Sequence, residues 1–283
     1  MASPTTSLEH DWLGACRRSV KSVQAVLAES SPGPERVVET GRVGVGGDRT
    51  LVIDQRAEDL VIGELRTLHD DGARFTLVSE ECGVVDFGDP GTVVVVDPID
   101  GSLNAKRGLT HHALSIAVAD GPSMGDVVLG YVHDFGTGEE WHAERGVGAW
   151  LNGALLEGVP AERRMADGRL EIVAVESAAP RWLAAASDAL LANVHRVRAL
   201  GSIAISMCQV AAGRADAMAS LRGCRSVDAA AAQLIVRESG GVVAFGDGPD
   251  PLGMALADLG GRTPVAAART PDGLARAQAL HAS

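Results

Sequence analysis

The stretch best suited to chemistry is Asp97-Pro98-Ile99-Asp100-Gly101-Ser102, which closes the apolar run Thr92-Val93-Val94-Val95-Val96. Four successive valines read as a strand buried on both faces, because β-branched side chains suit a covered pleated surface. Asp-Pro-x-Asp then puts two carboxylates at the strand's carboxyl end, where open α/β sheets usually place ligands. Pro98 fixes the backbone between the two acids. Gly101-Ser102 reads as the start of a short helix, whose free N–H groups favour an anion. Two carboxylates beside such a helix start would repel a phosphate unless a cation lay between them. The arrangement asks for a metal ion.

Further acids come from three other segments. The strand Arg74–Val78 ends in Ser79-Glu80-Glu81-Cys82-Gly83, a second acidic cluster at a strand end. Asp54 and Glu58 sit four residues apart on one face of a helix predicted over Val52–Leu68. Asp228 precedes Ala229-Ala230-Ala231-Ala232. Each has a plain structural reading when taken alone: Asp228 as a helix N-cap, Asp54 and Glu58 as a solvated helix face. Cys82 beside two acids should have a raised pKa, which argues against a reactive thiolate. His111-His112 lacks metal-ligand spacing and reads as loop. Ser102 has no local base for a Ser–His–Asp arrangement. The weight lies in the joint pattern.

The elements that must position these residues follow from periodicity. Leu8–Ala28 reads as an amphipathic helix, ended by Ser30-Ser31-Pro32-Gly33-Pro34. Gly41-Arg42-Val43-Gly44-Val45-Gly46-Gly47-Asp48 lacks the spacing and lysine of a nucleotide loop and reads as a mobile surface loop. Ala113–Ala119 and Val127–Val132 alternate like strands. Glu140–Ala143 and Gly148–Leu151, with the turn Asn152-Gly153, suggest hairpins. From about Ala161 the pattern changes. Strands Leu170–Val175, Arg196–Ala199 and Ala215–Ser220 alternate with helices Arg181–Leu191, Ser202–Ala212 and Asp228–Ser239. Gly240-Gly241 ends the third, and Val242–Phe245 and Pro264–Ala268 supply late strands. Two halves are expected, residues 1–160 with most of the acids and residues 161–283 completing the site with Asp228.

Bulk properties narrow the function classes. The chain has 283 residues, with 25 Lys plus Arg against 37 Asp plus Glu, a net charge of −12. An acidic chain without a basic run is a poor fit for nucleic acid or an anionic membrane. Aromatics make up 3% against 46% hydrophobic residues, so the core must be aliphatic. The longest uncharged stretch, Ala199–Gly213, is too short and polar to span a bilayer. Met1-Ala2-Ser3-Pro4-Thr5 does not read as a signal peptide. Cys16, Cys82, Cys208 and Cys224 form no metal-type pair and are few for a disulfide framework. A cytoplasmic, reducing setting is expected.

The ordered motifs resemble the inositol monophosphatase family of magnesium-dependent phosphatases. They are Thr50-x-x-x-Asp54, Ser79-Glu80-Glu81, Asp97-Pro98-Ile99-Asp100-Gly101-Ser102-x-Asn104 and Gly146-x-Gly148-Ala149-x-Leu151-Asn152-Gly153. Leu200-Gly201-Ser202, Val210-Ala211-Ala212-Gly213-Arg214-Ala215-Asp216-Ala217 and Asp228-x-Ala230-Ala231-x-x-x-Ile235-Val236-x-Glu238-x-Gly240-Gly241 follow. The surroundings of Ser79–Gly83 and Leu221-Arg222-Gly223 look more like the archaeal-type branch, which includes fructose-1,6-bisphosphatases. The resemblance implies a five-layer α-β-α-β-α sandwich and hydrolysis of a small phosphate monoester.

By that resemblance, Glu80, Asp97, the Ile99 carbonyl, Asp100 and Asp228 ligate two or three Mg2+ ions, with Glu81 close by. Asp54 and Ser102 orient and help deprotonate the attacking water. Gly101 and Ser102 hold the phosphate, and Gly201, Ser202 and Ile203 touch the alcohol portion. Asp100 and Asp228 also face substrate. Three departures stand out. Val227 replaces the usual aromatic before the last metal ligand, and Ser102 replaces the commoner threonine. Ser220 falls where inositol-specific enzymes carry an acid, and Arg222 lies nearby, suited to a second phosphate. The resemblance thus implies a homodimer acting on a sugar, polyol or nucleotide phosphate (of the 3′-phosphoadenosine 5′-phosphate kind, for instance) or in biosynthesis. The competing reading is a non-catalytic, protein-binding regulator on the same fold.

Overall fold

The structure is a computed structural model that describes residues 9–29, 39–43 and 49–281. α1 (Trp12–Glu29) and α2 (Val52–Asp70) pack side by side, and between them in sequence β1 (Glu39–Val43) and β2 (Arg49–Leu51) pair antiparallel. Gly41–Val43 are therefore strand rather than surface loop. Residues 44–48 and the helix-ending stretch 30–34 lie outside the described residues.

The two helices cover one face of a seven-stranded sheet. Its order is β3 (Phe75–Ser79), β4 (Gly83–Asp100), β5 (Ala113–Ala119), β6 (Val127–Asp134), β7 (Glu140–Glu144), β8 (Gly148–Leu151) and β9 (Ala154–Leu155). β4 doubles back around β3. Residues 83–88 pair with β3 in the antiparallel sense, while residues 93–96 run parallel on its other side. The valine run explains itself here. Val94 and Val96 pack among the residues of α1 and α2, whereas Val93 and Val95 pack on the opposite face. A strand buried on both sides has no polar face to show, hence no alternation.

After α3 (Ser102–Arg107), which follows β4, the chain builds the rest of the large sheet and then a second, five-stranded one. Its order is β11 (Val194–Arg198), β10 (Leu170–Glu176), β12 (Ala217–Ser220), β14 (Val265–Ala268) and β13 (Val242–Phe245). β10 runs parallel to β11 and β12; β14 runs antiparallel to β12 and β13. α6 (Ile203–Ala211) and α7 (Ser226–Glu238) fill the space between the two sheets. α4 (Pro180–Ala185), α5 (Ser187–Asn193) and α8 (Pro271–Gln278) pack their apolar residues against the outer face of the small sheet. The result is the expected five-layer α-β-α-β-α sandwich. One helix expected over Arg181–Leu191 is two, because the chain leaves helical geometry at Ala186, which is buried. No described helix is long and apolar enough to cross a membrane.

α7 rests almost on bare backbone. A Cβ added at Gly130 of β6 would lie 2.4 Å from the carbonyl oxygen of Ala231, closer than real atoms approach. Ala229, Ala230, Ala231 and Ala232 are all fully buried, so methyl-sized side chains set the depth of the helix against the sheet. Overpacking at such a contact costs typically 1–3 kcal/mol, roughly, through backbone shifts. Those shifts would move whatever the helix carries at its first turn.

Candidate active site

That first turn carries Asp228. It is the third residue of α7 rather than its N-cap: its Oδ2 accepts the backbone N–H of Arg225, the capping position, at 2.8 Å. Asp97 and Asp100 end β4, Glu80 and Glu81 form the turn between β3 and β4, and Asp54 lies in the first turn of α2. All six acids line one cavity of about 430 Å3, with Pro98, Ile99, Gly101, Ser102, Lys106 and Arg225. Four separate segments thus deliver carboxylates to one place.

Local devices hold several of them. The N–H of Ile99 donates to Asp97 Oδ1 at 3.1 Å, a side-chain turn that aspartate forms readily. Gly101 has φ 86°, and a Cβ there would lie 2.8 Å from the His111 carbonyl oxygen, so only glycine fits. Asp100 Oδ2 accepts from Ser202 Oγ at 2.6 Å and from the N–H of Ala204 at 2.7 Å, an acid seated at the start of α6. Asn104 Nδ2 donates to the carbonyls of His111 (2.9 Å) and Leu200 (2.7 Å), tying α3 to the loop before α6. That loop is gripped from below by Glu176, whose carboxylate accepts from Leu200 N, Gly201 N and Ser206 Oγ. Burial pushes Glu176 up to about 7 against the pull of those donors.

Glu58 is the clearest departure from sequence expectation. It is no solvated helix face; it is 3% exposed. Its Oε1 accepts from Ser79 Oγ at 2.6 Å and from the N–H groups of Glu81 and Cys82, both at 3.1 Å. One buried acid therefore shapes the turn that presents Glu80 and Glu81. The Cys82 thiol is pushed up to about 12 by partial burial and then by Glu58, so the expected direction holds with a different neighbour as the cause. Glu58→Ala strands three donors at about 1–3 kcal/mol each before relaxation. Urea melts should show a loss above about 2 kcal/mol, with Glu58→Gln losing less. A Glu58→Ala variant within about 0.5 kcal/mol of wild type would restore the surface reading.

Two serines do something other than expected. Ser220 is fully buried in β12, and its Oγ accepts the N–H of Val265 at 2.9 Å; it lines neither the acid cavity nor its neighbour. Its hydroxyl serves the sheet. Ser202 is 1% exposed, with its Oγ donating to Asp100 and accepting the N–H of Ile205 at 3.1 Å, so it positions an acid and caps α6. Spacing alone does not tell which way a hydroxyl turns: that of Ser202 faces Asp100, that of Ser220 faces Val265.

The acids crowd one another. Burial first, then Glu80, Asp100 and Asp228, drive the Asp97 carboxyl well above the usual range. Burial and Asp228 raise Asp100 to about 7. Glu80 also rises to about 7, by burial against the counter-pull of Arg225. Arg225, which sequence reading passed over, reaches into this cluster. Its Nη1 pairs with Glu80 Oε1, and its Nε and Nη2 each lie 3.3 Å from Asp228 Oδ1. Burial opposes its charge, but Asp228, Glu80 and Asp97 outweigh that and hold its pKa above the ordinary value. Among the described residues no three His, Cys, Asp or Glu side chains converge closely enough to grip an ion as they stand. The donors nonetheless fit a hard cation in kind: all are oxygens, and their mutual repulsion is what a divalent ion relieves.

A second cavity of about 830 Å3 opens beside the first and shares Asp100, Arg225 and Asp228 with it. Gly201, Ile203 and Arg222 line it, together with Arg181, Trp182 and Arg262. The guanidinium carbons of Arg181 and Arg222 lie 4.6 and 5.0 Å from the Trp182 ring centroid.

The model of the inositol monophosphatase family matches residues 11–281. The fructose-1,6-bisphosphatase/inositol-1-monophosphatase of Methanothermobacter thermautotrophicus is 33% identical over 243 residues, covering 82% of this chain and 83% of that protein. The Nus factor SuhB of Escherichia coli K12 is 31% identical over 237 residues, covering 83% and 85%. A crystal structure of the MJ0109 gene product, an inositol monophosphatase–fructose 1,6-bisphosphatase, matches with TM-score 0.79 at 26% identity, covering 95% of this chain and 99% of that one. The layer order is that of a fold shared with inositol monophosphatase-type proteins. The chain belongs to the inositol monophosphatase family.

Proposed function

We propose that the chain is a magnesium-dependent phosphatase that hydrolyses a small phosphate monoester, preferably one carrying a second anionic group. The observation that carries this reading is the convergence of six acids from four segments on one cavity, with a basic cavity adjoining it. Glu80, Asp97, the Ile99 carbonyl, Asp100 and Asp228 would hold the metal. Bound there, magnesium supplies neutralising charge for phosphate oxygens and acidifies a water. Asp54 takes the proton of the attacking water, while the Ser102 hydroxyl orients it. Backbone N–H groups at Gly101 and Ser102 receive the phosphate. Gly201 and Ile203 bound the alcohol portion, and Arg222 reaches the second anion. Glu81 stands ready to assist through water.

The test is magnesium-dependent phosphate release, comparing fructose 1,6-bisphosphate with inositol 1-phosphate. The bisphosphate should compete at least equally. Arg222→Ala should lower kcat/KM for it by about tenfold while changing inositol 1-phosphate little, because guanidinium–phosphate bonds are among the stronger ones. A wild-type preference of about a hundredfold for inositol 1-phosphate, about 2.7 kcal/mol, overturns the substrate class. The likeness to the Nus factor SuhB favours a second reading, a protein-binding regulator. Absence of release on every substrate, with magnesium and folded protein present, would favour it.

A further inference from the structure

Arg225 stands in the wall shared by the two cavities. Its side chain is 12% exposed, and the Glu80 and Asp228 side chains it joins are 19% and 13% exposed. Backbone and guanidinium both bind Asp228, the N–H to Oδ2 and Nε with Nη2 to Oδ1. Glu80 comes from the β3–β4 turn and Asp228 from α7, so the guanidinium bridges acids delivered by different layers of the fold. Both are acids to which the proposed function gives a metal-binding role. With the guanidinium against Glu80 Oε1 and Asp228 Oδ1, one oxygen of each acid is already engaged by a cation.

We propose that Arg225 is a tethered competitor for the metal: its guanidinium holds one cation position between Glu80 and Asp228, and a divalent ion enters that position only when the side chain leaves it. The larger cavity, which Arg225 already lines, is the space available to it on leaving. Apparent metal affinity is then the intrinsic affinity reduced by the fraction of molecules with the position open. This inference rests on the metal reading above, and the experiment separates the two.

Binding of Mg2+ by calorimetry and of Mn2+ by electron paramagnetic resonance is measured for wild type, Arg225→Met and Arg225→Lys. Arg225→Met should bind at one position about tenfold tighter than wild type, with Arg225→Lys between them, since a single ammonium replaces the planar fork. Metal-free Arg225→Met should also melt below wild type, because breaking a buried pair leaves acids uncompensated, and should gain more on adding Mg2+. If wild type binds metal and folded Arg225→Met binds no tighter, Arg225 is not a competitor. A raised KM with weakened or unchanged metal binding makes it a substrate ligand and overturns the proposal equally. If Arg225→Met does not fold, wild-type affinity in Arg225→Lys overturns it. If wild type and variants all bind no divalent ion, the metal reading itself falls.

Discussion

Asp97→Asn should abolish magnesium-dependent phosphate release while leaving a folded protein. Asp97 is 2% exposed and faces Glu80, Asp100 and Asp228, so it is the most enclosed member of the acid cluster. Asparagine keeps its shape and can still accept the Ile99 N–H, but offers no charge to a cation. The fold should tolerate the change, since a cluster of mutually repelling acids loses little by losing one charge. Two measurements are needed: residual activity, and the rise in melting temperature on adding Mg2+, which reports binding to the native state. Both should be lost together. Full activity in the folded variant would remove Asp97 from the site.

Asp54→Asn should act differently, on turnover rather than on affinity. Asp54 shares the acid cavity with Ser102, yet belongs to α2, apart from the segments that supply the proposed metal donors. General-base help is worth roughly a hundred- to ten-thousand-fold, so kcat should fall by that order with KM little changed. A kcat near wild type would return Asp54 to the plainer role of a first-turn acid that suits the helix dipole.

Much of this was legible in the residues. The valine run declared a doubly covered strand, and Asp97-Pro98-Ile99-Asp100 declared its carboxyl end. The bounds of β5, β8 and β13 are those expected from the sequence. What escaped has physical reasons. α8 buries few large apolar side chains, so its pattern is faint, although Thr270 and Pro271 are a proper cap and first residue. The first arm of β4 depends on pairing with β3, a tertiary fact that periodicity does not carry. Glu58, Glu176 and Arg225 were missed for a shared reason. A charged residue on a helix or strand end reads as surface, and only the folded neighbours reveal that its partners are buried donors or opposing charge. Ser220 is the reverse case: it reads as a site residue, and the fold turns its hydroxyl onto Val265 in the sheet.

The placement of α7 also bears on the order in which the chain can mature. Synthesis runs from the N-terminus, so early segments emerge before the segments that will cover them. Glu80, Asp97 and Asp100 are made early, but the inner face of the large sheet stays uncovered until residues 226–238 arrive to lie across β4, β5, β6 and β7. In the finished fold Val78, Val93, Val95 and Ala117 share their core with α7, so before it is made they lack that cover. One late segment thus closes the core and completes the acid cluster together. A chain ending before Ser226 would lack both the cover of that sheet face and Asp228, so for this protein the burial that guards against aggregation is the same event that equips it.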